Sequence, residues 1–458
     1  MRTETGKWVQ ALSTGLFLIL ATVPANAQEV GATGTEATAG TDSSPPDTAS
    51  PEQAPAAAVA VPAAPLAEPA AAPAPAGNAL KVTVGGQYRP RFEVDGKTLA
   101  KVSEDYKASH RARLKLTLQK GDWLLQIDPQ HVLTWGSAPT TRELGTGTVD
   151  FHQAYAQGAL TDAWRLRVGR QEIVFDDSRL LGNIDWLQQG QSFDGGRLMF
   201  ADGAWSWDLA GAIIHEGGVR NESLYATRGA WKDGDLSVAG LGYLQYARRR
   251  ANGEDDFWKA TPGARVVWSD ADLGLNADLS GYGQFGASEI AGTAIDYQAW
   301  MAAARLGWAG ENVGSIETGV DLLSGDDDLT DTTVKVFDTL FATNHKWYGW
   351  MDYFLNVPVH TKGLGLTDVL VGYTAPKFGR VTPKLVGHWF MTAQDSAAGN
   401  SDLGIEVDTQ VVVAIADGVK LVGGYSLFLA GDAMVDIGRA ATSGEDGHWG
   451  WAQLDLQF

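Results

Sequence analysis

The chain has 458 residues, with 35 Lys+Arg against 55 Asp+Glu for a formal net charge of −20, 55 glycines, 17 tryptophans and no cysteine. The missing cysteine excludes a disulfide scaffold, a thiolate metal centre and a cysteine nucleophile. The acidic balance excludes wholesale nucleic-acid binding, which needs clustered positive charge.

In chain order, residues 1–27 read as a secretory signal peptide. Arg2 and Lys7 form a positive start, Leu12 to Val23 an apolar stretch, and Ala25-Asn26-Ala27 a small-residue cleavage site. Residues 28–79 form an Ala/Pro-rich segment that carries acids and no bases. It cannot bury enough apolar surface to offset the entropy of ordering, so it reads as a disordered periplasmic spacer, either a passive tether or an arm for a periplasmic partner.

From residue 80 to 458 the recurring signal is alternation. In the segment His110–Lys120, Ala112, Leu114, Leu116 and Leu118 share one parity and Arg111, Arg113 and Lys115 the other. Successive side chains of a strand point to opposite faces, so each segment has one oily and one cationic face. Tyr88, Phe92 and Val94 alternate with Arg89, Arg91 and Glu93, and Trp164, Leu166 and Val168 with Arg165 and Arg167. Short polar turns follow at near-regular intervals. They fall at Gly121-Asp122, Thr161-Asp162, Asp202-Gly203, Asp233-Gly234, Asp270-Ala271, Glu311-Asn312, Lys377-Phe378 and Asp417-Gly418. Each interval holds two strands of about 10 residues, a tight turn and a longer loop. Eight such turns on the side of both termini imply eighteen strands. The expected fold is therefore all-β, a transmembrane antiparallel up-and-down β-barrel in the bacterial outer membrane. One wide interval predicts a large opposite-side loop within about 324–365. Trp123, Trp164, Trp205, Trp231, Trp268 and Trp308 stand near the turns, as an interfacial aromatic girdle should. The terminal Phe458 on an amphipathic last strand is the kind of signal that barrel assembly machinery reads.

Arginine facing lipid near the bilayer midplane costs about 2–4 kcal/mol. Arg89, Arg91, Arg111, Arg113, Lys115, Arg165, Arg167 and Arg305 are therefore expected to line the lumen. Such a wall lowers the barrier for anions. A purely structural reading pairs the same arginines with Glu93, Glu172, Asp176 and Asp177, and both can hold together.

An ordered block carries a family resemblance: Phe151-His152-Gln153-Ala154-Tyr155, Leu166-Arg167-Val168-Gly169-Arg170-Gln171-Glu172-Ile173, Arg179-Leu180-Leu181-Gly182, Trp186 and Ser192-Phe193-Asp194-Gly195. Further matches are Asn344-His345-Lys346-Trp347-Tyr348-Gly349-Trp350-Met351-Asp352 and Leu403-Gly404-Ile405-Glu406-Val407-Asp408. The chain resembles the alginate export family of outer-membrane proteins. That resemblance implies a monomeric eighteen-stranded barrel with an electropositive conduit for a polyuronate. It also marks Arg167, Arg170, Gln171 and Arg179 as lumen or constriction residues.

Metalloprotease, α/β-hydrolase and P-loop patterns are absent, so the expectation is a channel and not an enzyme, with no cofactor. Asp326, Asp327, Asp328 and Asp331 offer carboxylates to Ca²⁺ without the spacing of a calcium loop, and read more simply as a solvated loop. A second version folds that acidic loop into the lumen opposite the basic wall. The expected partners are outer-membrane lipid, lipopolysaccharide and an anionic saccharide. The alternative is an uptake porin for small anionic solutes such as organic acids.

Overall fold

The computed structural model describes residues 79–99, 104–137, 148–216, 220–249, 257–290 and 293–458. The signal peptide, and the spacer except its last residue, lie outside the described residues.

The strands are β1 (Lys81–Gly96), β2 (Asp105–Lys120), β3 (Trp123–Thr134), β4 (Thr148–Ala159), β5 (Trp164–Gln171), β6 (Phe193–Asp202) and β7 (Trp205–His215). They continue as β8 (Arg220–Asp233), β9 (Leu236–Arg249), β10 (Phe257–Asp270), β11 (Leu275–Ile290), β12 (Thr293–Gly310) and β13 (Gly314–Leu323). The series ends with the two-residue β14 (Thr333–Val334), then β15 (Leu366–Thr374), β16 (Val381–Met391), β17 (Asp402–Ala416), β18 (Val419–Ala430) and β19 (Asp446–Gln457). β14 pairs parallel to β12 inside a loop. The other eighteen pair antiparallel with their neighbours, and β1 closes on β19 with Tyr88 opposite Leu456. Closure leaves no edge, the only way a sheet can satisfy its backbone in hydrocarbon.

All eight sequence-predicted tight turns separate paired strands, and the count of eighteen is correct. The loop between β13 and β15 spans 324–365, as the wide interval indicated. Turns such as 120–123 hold glycine where the backbone is left-handed, with Gly121 at φ 57° and Gly203 at φ 54°.

Alternation sorts the faces. On β11, Asp278, Tyr282 and Gln284 are buried while Leu279 and Phe285 are exposed. On β12, Met301, Ala303 and Arg305 are buried, with Trp300, Leu306 and Trp308 exposed. The exposed apolar residues form the lipid face. Trp123, Trp205, Trp268 and Trp308 stand on it beside the tight turns, each at least 38 % exposed.

The apolar core sits in an unusual place. Phe175, Leu180, Leu181, Phe337, Tyr348, Met351, Phe354 and Val357 are all at most 2 % exposed, and all belong to two long loops, 172–192 and 324–365. A third loop, 431–445, adds Ala433 and Met434 from a short helix (Asp432–Asp436). The barrel thus surrounds a packed interior made by its own connections.

An arginine at an outward mid-strand position tests the face assignment. Leu279 stands four residues beyond the start of β11, near the middle of the apolar band. Leu279→Arg should destabilise the barrel by about 2–4 kcal/mol in denaturant titrations in liposomes. A neutral effect would show that this face does not meet hydrocarbon.

Candidate functional site

Loop 172–192 starts and ends on β5 and β6, yet it touches strands all around the barrel. Its Asp185, Trp186, Leu187 and Gln188 contact Arg89, Arg91 and Arg111 of β1 and β2, and Gln189 O accepts from Gln130 of β3. Its Asp176 and Asp177 meet Arg228 of β8 and Arg265 of β10, and its Arg179 meets Asp321 of β13. A segment reaching both sides of a cylinder must cross the bore. The strand side chains that grip it therefore point inward.

One carboxylate serves three guanidiniums: Asp185 lies 2.9 Å from Arg111, 3.4 Å from Arg89 and 3.9 Å from Arg113. The remaining donors of these arginines go to uncharged acceptors. Arg111 and Arg113 bond Gln87 and Gln130, while Arg89 reaches the Leu187 carbonyl at 2.9 Å and Arg91 that of Trp186 at 2.6 Å. Arg91 also stacks on the Trp186 ring, 3.7 Å from its centroid. Glu93, Asp128 and Asp455 also act electrostatically on this group, but Asp185 is the one carboxylate in ion-pair contact with it among the described residues.

On the opposite side the pairing is tighter. Arg265 binds Asp278 at 2.6 Å, Arg228 binds Asp176 at 2.8 Å, and fully buried Asp321 receives Arg305 at 2.7 Å and Arg179 at 2.8 Å. Arg179 also stacks over Trp347, 3.9 Å from the ring centroid. Asp176 and Asp177 thus pair with Arg228, Arg265 and Arg179 rather than with the arginines the structural reading assigned them, and Glu172 goes to His152 at 2.6 Å.

The two loops are joined to each other. Leu181 bridges Phe341 in parallel, with Phe341 N donating to Leu180 O at 3.0 Å and Gly182 N to Phe341 O at 3.0 Å. Trp186 stacks on His345 at 4.3 Å and meets Trp451 of β19 edge-on at 4.7 Å. Loop 324–365 is tied to the wall by Lys259–Asp338 and by Glu406, which accepts from Met351 N at 2.8 Å. The six non-glycine residues at positive φ among the described residues are Asp176, Ser178, Ile184, Leu340, Asp352 and Lys362, and all six lie in these two loops. For the β-branched Ile184, at φ 47°, this backbone is a true outlier.

Toward the tight turns, a cavity of about 340 Å³ opens below the loops. Arg165, Arg167, Arg197 and Arg228 line it together with Tyr155, Glu172 and Asp208. Arg197 is paired with Asp208 at 2.7 Å. Arg167 bonds Gln157 at 2.7 Å and lies over the Tyr155 ring at 4.2 Å; neither it nor Arg165 has an ion pair among the described residues.

Of the residues expected from the sequence, Arg89, Arg91, Arg111, Arg113, Arg165, Arg167 and Arg305 take the inward parity. Lys115 shares that parity and is exposed near the turn end. Gln171 is buried against Gly169 O and Gly195 O, and Arg179 sits on the crossing loop. Arg170 is placed differently from a lumen residue. It shares the parity of Leu166 and Val168, opposite Ala154 and Asp194, with its side chain 39 % exposed. Arg197, Arg228 and Arg265 escaped sequence reasoning. Arg265 was accessible to the same parity rule, since Val266 and Trp268 flank it on the oily face.

The acidic run binds itself: Asp326 accepts from the backbone of Asp328 and Lys335, and Lys335 pairs with Asp327 and Asp331. Among the described residues, no group of three imidazole or carboxylate ligands converges.

Two measurements probe the loop anchorage. Asp321→Ala leaves Arg305 and Arg179 buried without their anion and should cost about 3–5 kcal/mol of stability, read from unfolding in liposomes. The second uses His360, at the end of the helix α1 (Val357–His360). Its imidazole accepts from Asn356 N, and burial, with Arg439 nearby, pushes it down to about 4. The folded loop therefore binds fewer protons than the unfolded one, and stability present above pH 6.5 is lost as pH falls toward 4. Hydrogen-exchange protection across 353–364, taken relative to the intrinsic rate at each pH, should fall between pH 7 and 4.5, and His360→Gln should remove that difference.

The comparisons agree with this geometry. A family profile described as alginate export matches residues 81–444. No curated protein matches the chain significantly. Solved structures of similar fold include OccAB2 of Acinetobacter baumannii, at 11 % identity and TM-score 0.58, covering 82 % of this chain and 98 % of that one. OccK8 (OprE) of Pseudomonas aeruginosa aligns at 11 % identity and TM-score 0.54 with the same coverages, as does a BenF-like porin from Pseudomonas fluorescens Pf-5. With most of its barrel matched by that profile, the chain belongs to the alginate export family and is an integral outer-membrane channel, not an enzyme.

Proposed function

We propose that the bore conducts an anionic saccharide passively, as a monomer, by handing carboxylates along the inward arginines. The observation that carries this reading is how few ion pairs these guanidiniums make. Asp185 is shared among Arg89, Arg111 and Arg113, and Arg165 and Arg167 face the turn-side cavity with no ion pair among the described residues. Arginine forks match carboxylates and form charge-assisted bonds. Several spaced forks of moderate strength permit entry without trapping.

The crossing loop supports the same reading. Asp185 and the carbonyls of Trp186 and Leu187 already occupy donors that a passing uronate would use. A chain of uronates competes for those donors, so entry and loop displacement are coupled through the same arginines. Arg179 and Gln171 then act on the loop and its root, holding the constriction in place, while Arg305 anchors it through Asp321.

The second reading, an uptake porin for small anionic solutes such as organic acids, draws on the packed loops, which leave less room than a polymer needs. It is also in keeping with the porins that share the fold. Docking of Phe458 on the assembly machinery accords with its 77 % exposure at the β1–β19 seam.

Replacing Arg111, Arg113, Arg165 and Arg167 by Glu should reverse anion preference in planar-bilayer recordings; unchanged selectivity would remove the arginine mechanism. Polyuronate added to the native channel should block the ionic current reversibly. Lack of block, together with rapid liposome swelling in small organic acids, would favour the porin reading.

A further inference from the structure

His110 on β2 and His131 on β3 take the parity opposite to the bore. Their neighbours Arg111 and Gln130 are buried inside, and in register His110 lies opposite Leu133 and His131 opposite Ala112. The two imidazoles are thus on the lipid side of the barrel, where a polar pair has no structural duty. They touch: His110 Nε2 is 3.1 Å from His131 Nδ1. The exposed Trp135 donates its indole N–H to His110 Nδ1 at 2.8 Å, and the Tyr88 ring lies 5.6 Å away.

Hydrogen-bond valence sets the protons. Indole N–H only donates, so His110 Nδ1 is an acceptor and carries no proton. The single proton of His110 is then on Nε2, facing His131, whose Nδ1 must accept. That places the proton of His131 on Nε2. The array runs one way, from Trp135 through His110 to His131, and ends in an N–H donor with no acceptor among the described residues.

Height along the strands identifies what this donor meets. His131 stands eight residues beyond Trp123 of the turn-side girdle, and His110 ten residues from Lys120, the partner of Trp123. At about 3.4 Å per residue and a tilt near 40°, these are rises of about 21 and 26 Å, against an apolar band about 25 Å tall. Trp135, Tyr106 and Phe92, exposed by 52, 68 and 47 %, mark the same level as the upper aromatic ring. The loops belong to the extracellular side, so the donor lies at the headgroup boundary of the outer leaflet.

A metal is the wrong occupant. An imidazole ligating through Nε2 carries its proton on Nδ1, where His110 would confront the Trp135 N–H. The array instead requires a partner that accepts.

We propose that Trp135, His110 and His131 form a docking site for a phosphate oxygen of the phosphorylated glycolipid of the outer leaflet, received by His131 Nε2–H. The site is independent of what the bore conducts.

The test uses the full chain in nanodiscs containing lipid A with both phosphates or its dephosphorylated form, with retained glycolipid counted by native mass spectrometry. Retention of the phosphorylated form should exceed that of the dephosphorylated form. His131→Ala should weaken retention of the phosphorylated lipid about tenfold, the loss expected for one hydrogen bond to a charged group. Trp135→Phe, which leaves both imidazoles in place, should weaken it in the same direction. Nitrogen-15 spectra should show His110 Nδ1 unprotonated in the native chain. Equal retention of both lipids, an unchanged His131→Ala or Trp135→Phe variant, or a protonated His110 Nδ1 would overturn the proposal. So would saturation of the site by inorganic phosphate alone, or a change in oligomeric state on His131→Ala. Heat-modified migration in gels checks that each variant is folded.

Discussion

A guanidinium facing hydrocarbon is costly, and most features of this chain follow from where its arginines must therefore go; Arg170, on the outer face, is paired there with Asp150 and Asp194. Closure of the sheet satisfies the backbone, so only the parity of each strand remains to be settled, and one charged residue settles it for the whole strand. Arg305 on β12 fixes Leu306 and Trp308 outward; Arg265 does the same for Val266 and Trp268. The barrel gathers its cations around a shared axis because the alternative costs several kcal/mol for each residue.

Concentrated positive charge in a narrow bore then has to be compensated. The acidic side, through Asp278 and Asp321, compensates locally. On the β1–β3 side the inward acids Glu93 and Asp128 make no ion pair with these arginines among the described residues, and Asp185 is recruited from a loop rooted between β5 and β6. The same attraction draws that loop through the lumen, where its apolar residues find the second loop and form the interior. Electrostatic compensation and hydrophobic packing thus act on one segment, and the loop stays where both are met.

Much of this is legible in the amino-acid sequence. Gly-Asp and Asp-Gly turns recur at a spacing that two strands dictate, so Gly121, Gly203, Gly234 and Gly418 marked the strand count. The wide gap after Glu311-Asn312 marked loop 324–365. Loop 172–192 stayed hidden because the shortened β5 and β6, of 8 and 10 residues, keep the turns near 161 and 202 at the ordinary distance. Turn spacing measures a strand pair and its loop together and cannot divide them. Arg228 was missed because Thr227 and Gly229 interrupt the oily face that Tyr225 and Trp231 carry on its strand. Arg170 followed a motif, whereas Leu166 and Val168 placed it outside. Nothing in the spacing told which arginines a carboxylate would claim, since partners such as Asp185 and Asp321 meet them only through the fold.

The left-handed residues of the crossing loops carry one more meaning. Ile184, Leu340 and their companions each hold a left-handed backbone shape that costs about 1–3 kcal/mol. Were the segment to swing clear of the channel, these residues would relax, returning part of what the severed ion pairs take away. The net attachment of these loops to the channel wall is consequently weaker than a tally of contacts suggests.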